Sequence, residues 1–264
     1  MDDWRSYDEV ADRYERIHAP RFAKPAADLT AMSEIGAGDR VLDVGTGTGI
    51  AAAAAAAAGA APVYGVDPSE GMLSVARRER PNILLARAVA VDLPFPNGSF
   101  DAVVANFVIP NQRNHETALA DIIRVLRPGG TFAMSAWDDN RDDLERAWEE
   151  QVAYVLPGRM LEQMREKETP YFSRFADRNF TEEVLGRAGF KKVRTQKHDY
   201  RFRYQLDEYL EGIEVWRAAR FVREMVGERG WEEFRRRTRE AFMERFADPL
   251  NDFVSAILTT AIKP

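Results

Sequence analysis

The chain has 264 residues, 45% of them hydrophobic and 30% charged, with a net charge of −6 and no cysteine. That length accommodates one α/β domain with insertions, or a domain with a cap, around a sizeable core. The composition excludes disulfides and thiolate zinc sites, and the acidic balance argues against a general nucleic-acid binder, which carries a basic surplus.

No strongly apolar run reaches the ~18 residues of a membrane span. The alanines 51–58 are too few and too weakly apolar for one. The start, MDDWRSYDEV, is acidic and lacks the apolar centre of a signal peptide, so a cytoplasmic protein is expected.

In chain order, Tyr7, Val10, Ala11 and Tyr14 share one face of a helix over residues 5–17. Pro20 and Pro25 are expected to break the chain after it, with a second helix over 26–35 and a link at Gly36 and Gly38. Val41, Leu42 and Val44 predict a strand, and Gly45, Gly47 and Gly49 a turn that a side chain would obstruct. The alanine run from Ala51 predicts a helix lying close to a sheet. Val63–Val66 predict the next strand, with Asp67 at its carboxyl end, where ligands bind in open α/β sheets.

An acid in that place hydrogen-bonds ribose hydroxyls. Ile50 stands where a dinucleotide fingerprint needs its third glycine, and no Gly-Lys-Ser/Thr follows, so neither a dinucleotide motif nor a P-loop is present. What remains is D-x-G-x-G-x-G from Asp43, whose carboxylate would repel a pyrophosphate and suit a cationic ligand.

Pro68-Ser69-Glu70 opens a helix carrying Met72, Leu73 and Ala76. Residues 83–91 predict a third strand ended by Asp92, and Ala102–Val108 a central buried one. Asn114 is the expected N-cap of a helix over 115–126, which makes His115 a first-turn surface residue. Gly129-Gly130 turns into a strand over Thr131–Ala136. Leu144, Trp148, Val152 and Val155 then form a helical stripe, and Thr181 with Glu182 and Glu183 fits the start of a helix ending at Gly189. Residues 191–204 alternate as a strand. Two helices separated by Gly227 and Gly230 fill 207–247, and Phe253–Ile262 form the last strand. The run Arg235-Arg236-Arg237-Arg239 reads as a solvated helix face.

Residues 40–72, with AVAVDLPFPNGSFDAVVAN over 88–106 and RVLRPGG over 124–130, resemble class I S-adenosylmethionine (SAM) methyltransferases of the small-molecule type. The resemblance implies a Rossmann-like doubly wound α/β sheet of about seven strands, the last antiparallel, with helical lid insertions. The expected division is a SAM-binding core at 1–136, a helical insertion at 137–179, a core helix and strand at 180–206, a second insertion at 207–248 and a final core strand at 249–264.

It also implies the cofactor residues Tyr14, Asp43, Gly45, Thr46, Gly47, Asp67, Pro68, Met72, Asp92, Leu93, Asn106 and Phe107. In that scheme Pro68 and Met72 flank the adenosine. Asp92 and the Leu93 backbone meet the adenine, and Tyr14 and Phe107 face the sulfonium. Asn106-Phe107-Val108-Ile109-Pro110 lacks the Asp/Asn-Pro-Pro-aromatic pattern of amino methyltransferases acting on bases. Pro110 and Asn111 stand where many small-molecule relatives carry a His pair, so no shared base is implied.

The expected reaction is methyl transfer, to oxygen or carbon, onto a small apolar or aromatic metabolite, with S-adenosylhomocysteine as product. No metal, nucleic acid or membrane is involved, and the protein is a monomer or homodimer. The sequence identifies no catalytic base; Tyr14 and His18 are the candidates, and a surface role for His18 competes. A SAM-binding cyclase that transfers no methyl, and a non-catalytic SAM-binding module, are the alternatives.

Overall fold

The computed structural model describes residues 4–140 and 142–264. Strands β1 (Val41–Val44), β2 (Val63–Asp67), β3 (Leu84–Arg87), β4 (Phe100–Ala105), β5 (Leu126–Trp137), β6 (Lys191–Tyr204) and β7 (Leu250–Ile262) form one sheet. Its order is β3-β2-β1-β4-β5-β7-β6, and β7 runs antiparallel to both its neighbours. This is the doubly wound sheet with an antiparallel last strand that the motifs imply.

The helices are α1 (Ala11–Met32), α2 (Ile50–Ala57), α3 (Glu70–Glu79), α4 (His115–Val125), α5 (Asp143–Val155), α6 (Met160–Glu168), α7 (Arg178–Arg187), α8 (Leu206–Ile213) and α9 (Arg217–Arg245). All four residues of β1 are buried, as a parallel strand covered on both faces requires. Successive strand residues point to opposite faces. Leu42 and Val44 therefore join a core with Leu119, Ile122 and Leu185 of α4 and α7. Val41 joins Phe22 and Leu29 of α1 and Ala52 and Ala55 of α2 on the other side. The same alternation points Asp43 toward α2.

Helix α1 runs unbroken through Pro20 and Pro25, against the expected break. An interior proline costs a helix about 3 kcal/mol. Burial of Phe22 and Leu29 against the sheet contributes about 1.5–3 kcal/mol each, and Pro25 is itself buried.

Other boundaries differ from expectation for equally local reasons. Strand β3 stops at Arg87, and Asp92 follows in an isolated bridge to Val89. Helix α7 begins at Arg178, capped by the Asp177 carboxylate on the Asn179 amide at 2.8 Å; Thr181 lies inside it and is buried. Asn114 makes no side-chain cap bond. His115 is not a surface residue: it is 4% exposed and wedged edge-on against Tyr171, Phe175 and Phe180.

In the second insertion two helices part at Gly227, whose φ is +70°, as expected, and the chain also breaks earlier, between α8 and α9. The inserted helices bury their stripes largely on one another: Leu144, Trp148 and Val152 meet Val222, Phe234 and Phe242. The arginine run lies on a solvated helix face, as expected, and its charges have partners there. Arg235 pairs with Glu214, Arg236 with Glu233 and Glu240, and Arg239 with Asp207, while Arg237 lies 3.6 Å from the Tyr154 ring centre. Exposed pairs of this kind add little to stability. Among the described residues no helix is long and apolar enough to cross a membrane.

Candidate functional site

The glycine turn leaves β1 at its carboxyl end. Gly45 and Gly47 both take positive φ, +68° and +54°. A Cβ at Gly45 would lie 2.5 Å from Cγ2 of Val108, whereas one at Gly47 would meet nothing within 4 Å. The turn therefore packs tightly on one side and is open on the other.

Thr46 ties the turn down. Its amide donates to the Val66 carbonyl at 2.9 Å and its hydroxyl to Oδ2 of Asp43 at 2.7 Å. The same Oδ2 accepts the Ala52 amide at 2.9 Å, anchoring the first turn of α2. Asp43 is 1% exposed, and its Oδ1 has no hydrogen-bond partner. Burial pushes its carboxyl up to about 7, against the lowering effect of those two bonds.

Asp67 stands opposite on β2. Its Oδ2 accepts the Gly47 amide and its Oδ1 the Ser69 amide, each at 2.9 Å. Each oxygen keeps a second lone pair for a ligand. Burial raises this carboxyl to about 6.

The N-terminal segment closes over this edge. Oδ1 of Asp8 accepts the Ser69 hydroxyl at 2.6 Å and the Gly71 amide at 2.9 Å. Met72 is buried beneath it with Ala11, Val75, Tyr7 and Tyr14. Pro68 is half-buried, and its carbonyl accepts from Arg87 at 3.0 Å. Tyr14 feels the charges of both Asp67 and Asp43, and burial with those charges holds its hydroxyl well above its usual pKa.

On the far side, Asp92 is exposed. The Leu93 amide is already spent on Oδ2 of Asp121 at 2.5 Å, and its carbonyl accepts from Arg124 at 2.9 Å. A role for Asp92 toward an adenine amino group thus rests on its side chain, with the Leu93 amide engaged elsewhere.

Beyond β4, Ser135 connects two predicted residues: its hydroxyl donates to Oδ1 of Asn106 at 2.7 Å and accepts the Phe107 amide at 2.8 Å. Phe107 sits at φ +59°, a conformation uncommon outside glycine. Its ring stacks on Trp137 at 4.0 Å. Phe22 meets Phe107 edge-on at 5.3 Å and stacks with Tyr14 at 5.6 Å. His18, 3% exposed rather than on the surface, lies 4.3 Å from the Trp216 ring.

The structure thus brings Tyr14, His18 and Phe107 together. It adds Phe22, Trp137 and Trp216, which no sequence motif places at the site. It also adds Arg21, whose Nη1 lies 3.3 Å from the buried Asp252 carboxylate and whose guanidinium sits 5.3 Å from the Trp137 ring. The spacing Tyr14–His18–Phe22, four residues apart each time, is the signal for the aromatic wall; the expected break at Pro20 hides it.

A family model described as a methyltransferase domain matches residues 42–134, the span of this glycine turn and both carboxylates. The demethylmenaquinone methyltransferase of Lactococcus lactis is 30% identical over 191 residues, covering 66% of this chain and 72% of that one. The chain belongs to the class I SAM-dependent methyltransferase family.

Another family member, the demethylmenaquinone methyltransferase of Symbiobacterium thermophilum, is 36% identical over 138 residues. That match covers 48% of this chain and 55% of the relative, so the chain spans little more than half of that protein's length. Among solved methyltransferase structures, Haemonchus contortus phosphoethanolamine N-methyltransferase 2, in complex with SAM, superposes with a TM-score of 0.60 at 19% identity. It covers 99% of this chain and 60% of that one, which establishes a shared fold.

Proposed function

We propose that this protein transfers the methyl group of SAM to a small aromatic acceptor of the quinone-derived class, as the name of its demethylmenaquinone-acting relatives suggests. One observation carries the reading. The carboxyl ends of β1 and β2 carry two carboxylates, one with a buried and unpartnered oxygen, around a glycine turn with open space at Gly47. Negative charge of this kind suits a sulfonium and an ammonium, and repels a pyrophosphate.

The residues fit the co-substrate. Asp67 would take the ribose hydroxyls on its spare lone pairs. Oδ1 of Asp43 would face the positive end, and the open side of Gly47 would admit the amino-acid portion. SAM supplies an electrophilic methyl group, so the protein's work is positioning and exclusion of water. The rings of Tyr14, Phe22, Phe107 and Trp137 line the adjoining edge, where cation–π attraction favours a sulfonium and an apolar wall favours a flat acceptor. The two helical insertions act as the lid on that side, reaching α1 through Trp216 and Gly212. The core-and-lid division set out from the sequence is part of this proposal, as is action inside the cell on a small molecule.

Titration calorimetry with SAM tests the site. Asp67→Ala should weaken binding by about 1–3 kcal/mol, the cost of a lost buried partner, or roughly 5- to 150-fold. Unchanged affinity in a folded variant would break the assignment. The acceptor class is tested by incubating methyl-labelled SAM with 1,4-dihydroxynaphthalenes. Turnover that leaves the label on SAM would point to a cyclase-type reaction instead.

A further inference from the structure

On α1, Tyr14, His18 and Phe22 follow one another at four-residue spacing, so their side chains share a face. Tyr14 feels the charges of Asp67 and Asp43. Phe22 contacts Phe107 and Trp137 at the ends of β4 and β5. His18 lies between them, about 6 Å along the axis from Tyr14.

Nε2 of His18 is 2.9 Å from the Gly212 carbonyl oxygen. A carbonyl only accepts, so Nε2 carries the proton, and the neutral ring then leaves Nδ1 as a bare acceptor. Nδ1 is buried and has no partner. The His18 ring is enclosed by those of Trp216, Tyr14 and Phe22, at 4.3, 5.6 and 6.4 Å between ring centres. Leaving a buried acceptor unpaired is costly, and a strap to Gly212 alone does not require it. Gly212 and Trp216 flank the same corner between α8 and α9, so the segment that sets the tautomer also covers the His18 ring.

We propose that Nδ1 of His18 receives the hydroxyl proton of the methyl acceptor, which is therefore a phenol, hydroquinone or enol; this rests on the methyl-transfer reading above. The acceptor's O–H bond breaks and its proton passes to Nδ1. The electron pair left behind makes the new bond to the methyl carbon from the oxygen, or drives a conjugated ring carbon to do so, in which case that carbon's C–H bond then breaks, its pair restores the ring and the oxygen takes a proton back. The methyl carbon's bond to sulfur breaks, its pair stays on sulfur, and one proton per turnover reaches water. Burial lowers His18 to about 4, so the ring stands neutral at physiological pH and is too weak a base to deprotonate the free acceptor beforehand. The proton moves as methyl transfer raises the acidity of the acceptor. Entry of the acceptor requires the α8–α9 corner to part from α1.

The test is His18→Gln, whose amide nitrogen keeps a donor for Gly212 and places no base at the δ position. With 1,4-dihydroxynaphthalene the label-transfer rate should fall about 10²- to 10⁴-fold, the usual contribution of a general base. With a halogenated analogue ionised at the assay pH, the loss should stay under about tenfold. SAM affinity by calorimetry should hold within about twofold.

Equal losses on both acceptors, or no loss, overturn the proposal. If the wild type binds SAM yet labels neither acceptor, the acceptor reading fails and takes this proposal with it. Nitrogen NMR of the wild type with S-adenosylhomocysteine adds a readout independent of folding of the variant. The His18 Nδ1 resonance should move on saturation with 1,4-dihydroxynaphthalene, and a static resonance would exclude the contact.

Discussion

Asp43→Asn should raise the melting temperature of the cofactor-free protein at pH 8 and weaken its hold on SAM. Asp43 is 1% exposed, with one oxygen unpartnered, and burial pushes its carboxyl from 3.8 up to about 7. A carboxyl raised on folding binds more protons in the folded state than in the unfolded state between those two values. Stability therefore falls as pH rises through that window. Above it the protein carries a buried charge without a counterion. At about 1.4 kcal/mol per pH unit the cost reaches roughly 4 kcal/mol at most.

Asparagine removes the charge and keeps an oxygen for Thr46 or Ala52, but adds a donor that needs a partner. A net gain of about 1–2 kcal/mol, some 2–8 °C for a chain of this size, is expected. The gain should shrink at pH 5, where most of the Asp43 carboxyl is already protonated, and scanning calorimetry at the two pH values reads this directly. On the proposed reading SAM affinity should drop tenfold or more, since the group set to meet its positive end has lost its charge. A variant no more stable at pH 8, or one binding SAM as tightly as the wild type, would show that Asp43 serves α2 alone.

The second large effect is expected from Gly71→Ala. Alanine is the better helix former by about 1 kcal/mol, so α3 itself should gain. A Cβ there, however, would lie 2.5 Å from the Asp8 carbonyl oxygen and 2.6 Å from its Cα. Backbone atoms cannot give way as a flexible side chain can, so the segment over Trp4–Val10 must lift. It would lose the Asp8 bonds to Ser69 and Gly71.

The expected result is fast amide exchange around residues 8–11 with the sheet still protected, and SAM binding weaker by about one to two orders of magnitude as Tyr14 loses its seat. Unaltered exchange at the N-terminal segment would contradict the docking of Asp8 on α3.

The half of the fold that carries the glycine turn and the two carboxylates is readable because its instructions are local. The apolar run before Gly45, the alanines after it and Asp67 at the end of the next strand each act over a few residues. The aromatic wall is not readable, because tertiary burial outweighs the proline penalty in α1 and carries Phe22 into the site. The single histidines mislead for a related reason. His18 and His115 look like ordinary polar residues in their helices, yet each is enclosed by rings supplied from distant segments. The short stretch between α8 and α9 has the apolar spacing of continuous helix, which conceals that Trp216 stands at a corner.

Both insertions leave and rejoin the sheet through β5, β6 and β7, while Asp43, Gly47 and Asp67 hang from β1 and β2 at the other side. The two sets therefore hang from opposite sides of β4 and meet at α1, where Gly212 and Trp216 contact His18. Transplanting the segments between Trp137 and Arg178, and between Tyr204 and Leu250, onto a relative should carry substrate choice with them, and the recipient would keep its own grip on the methyl donor.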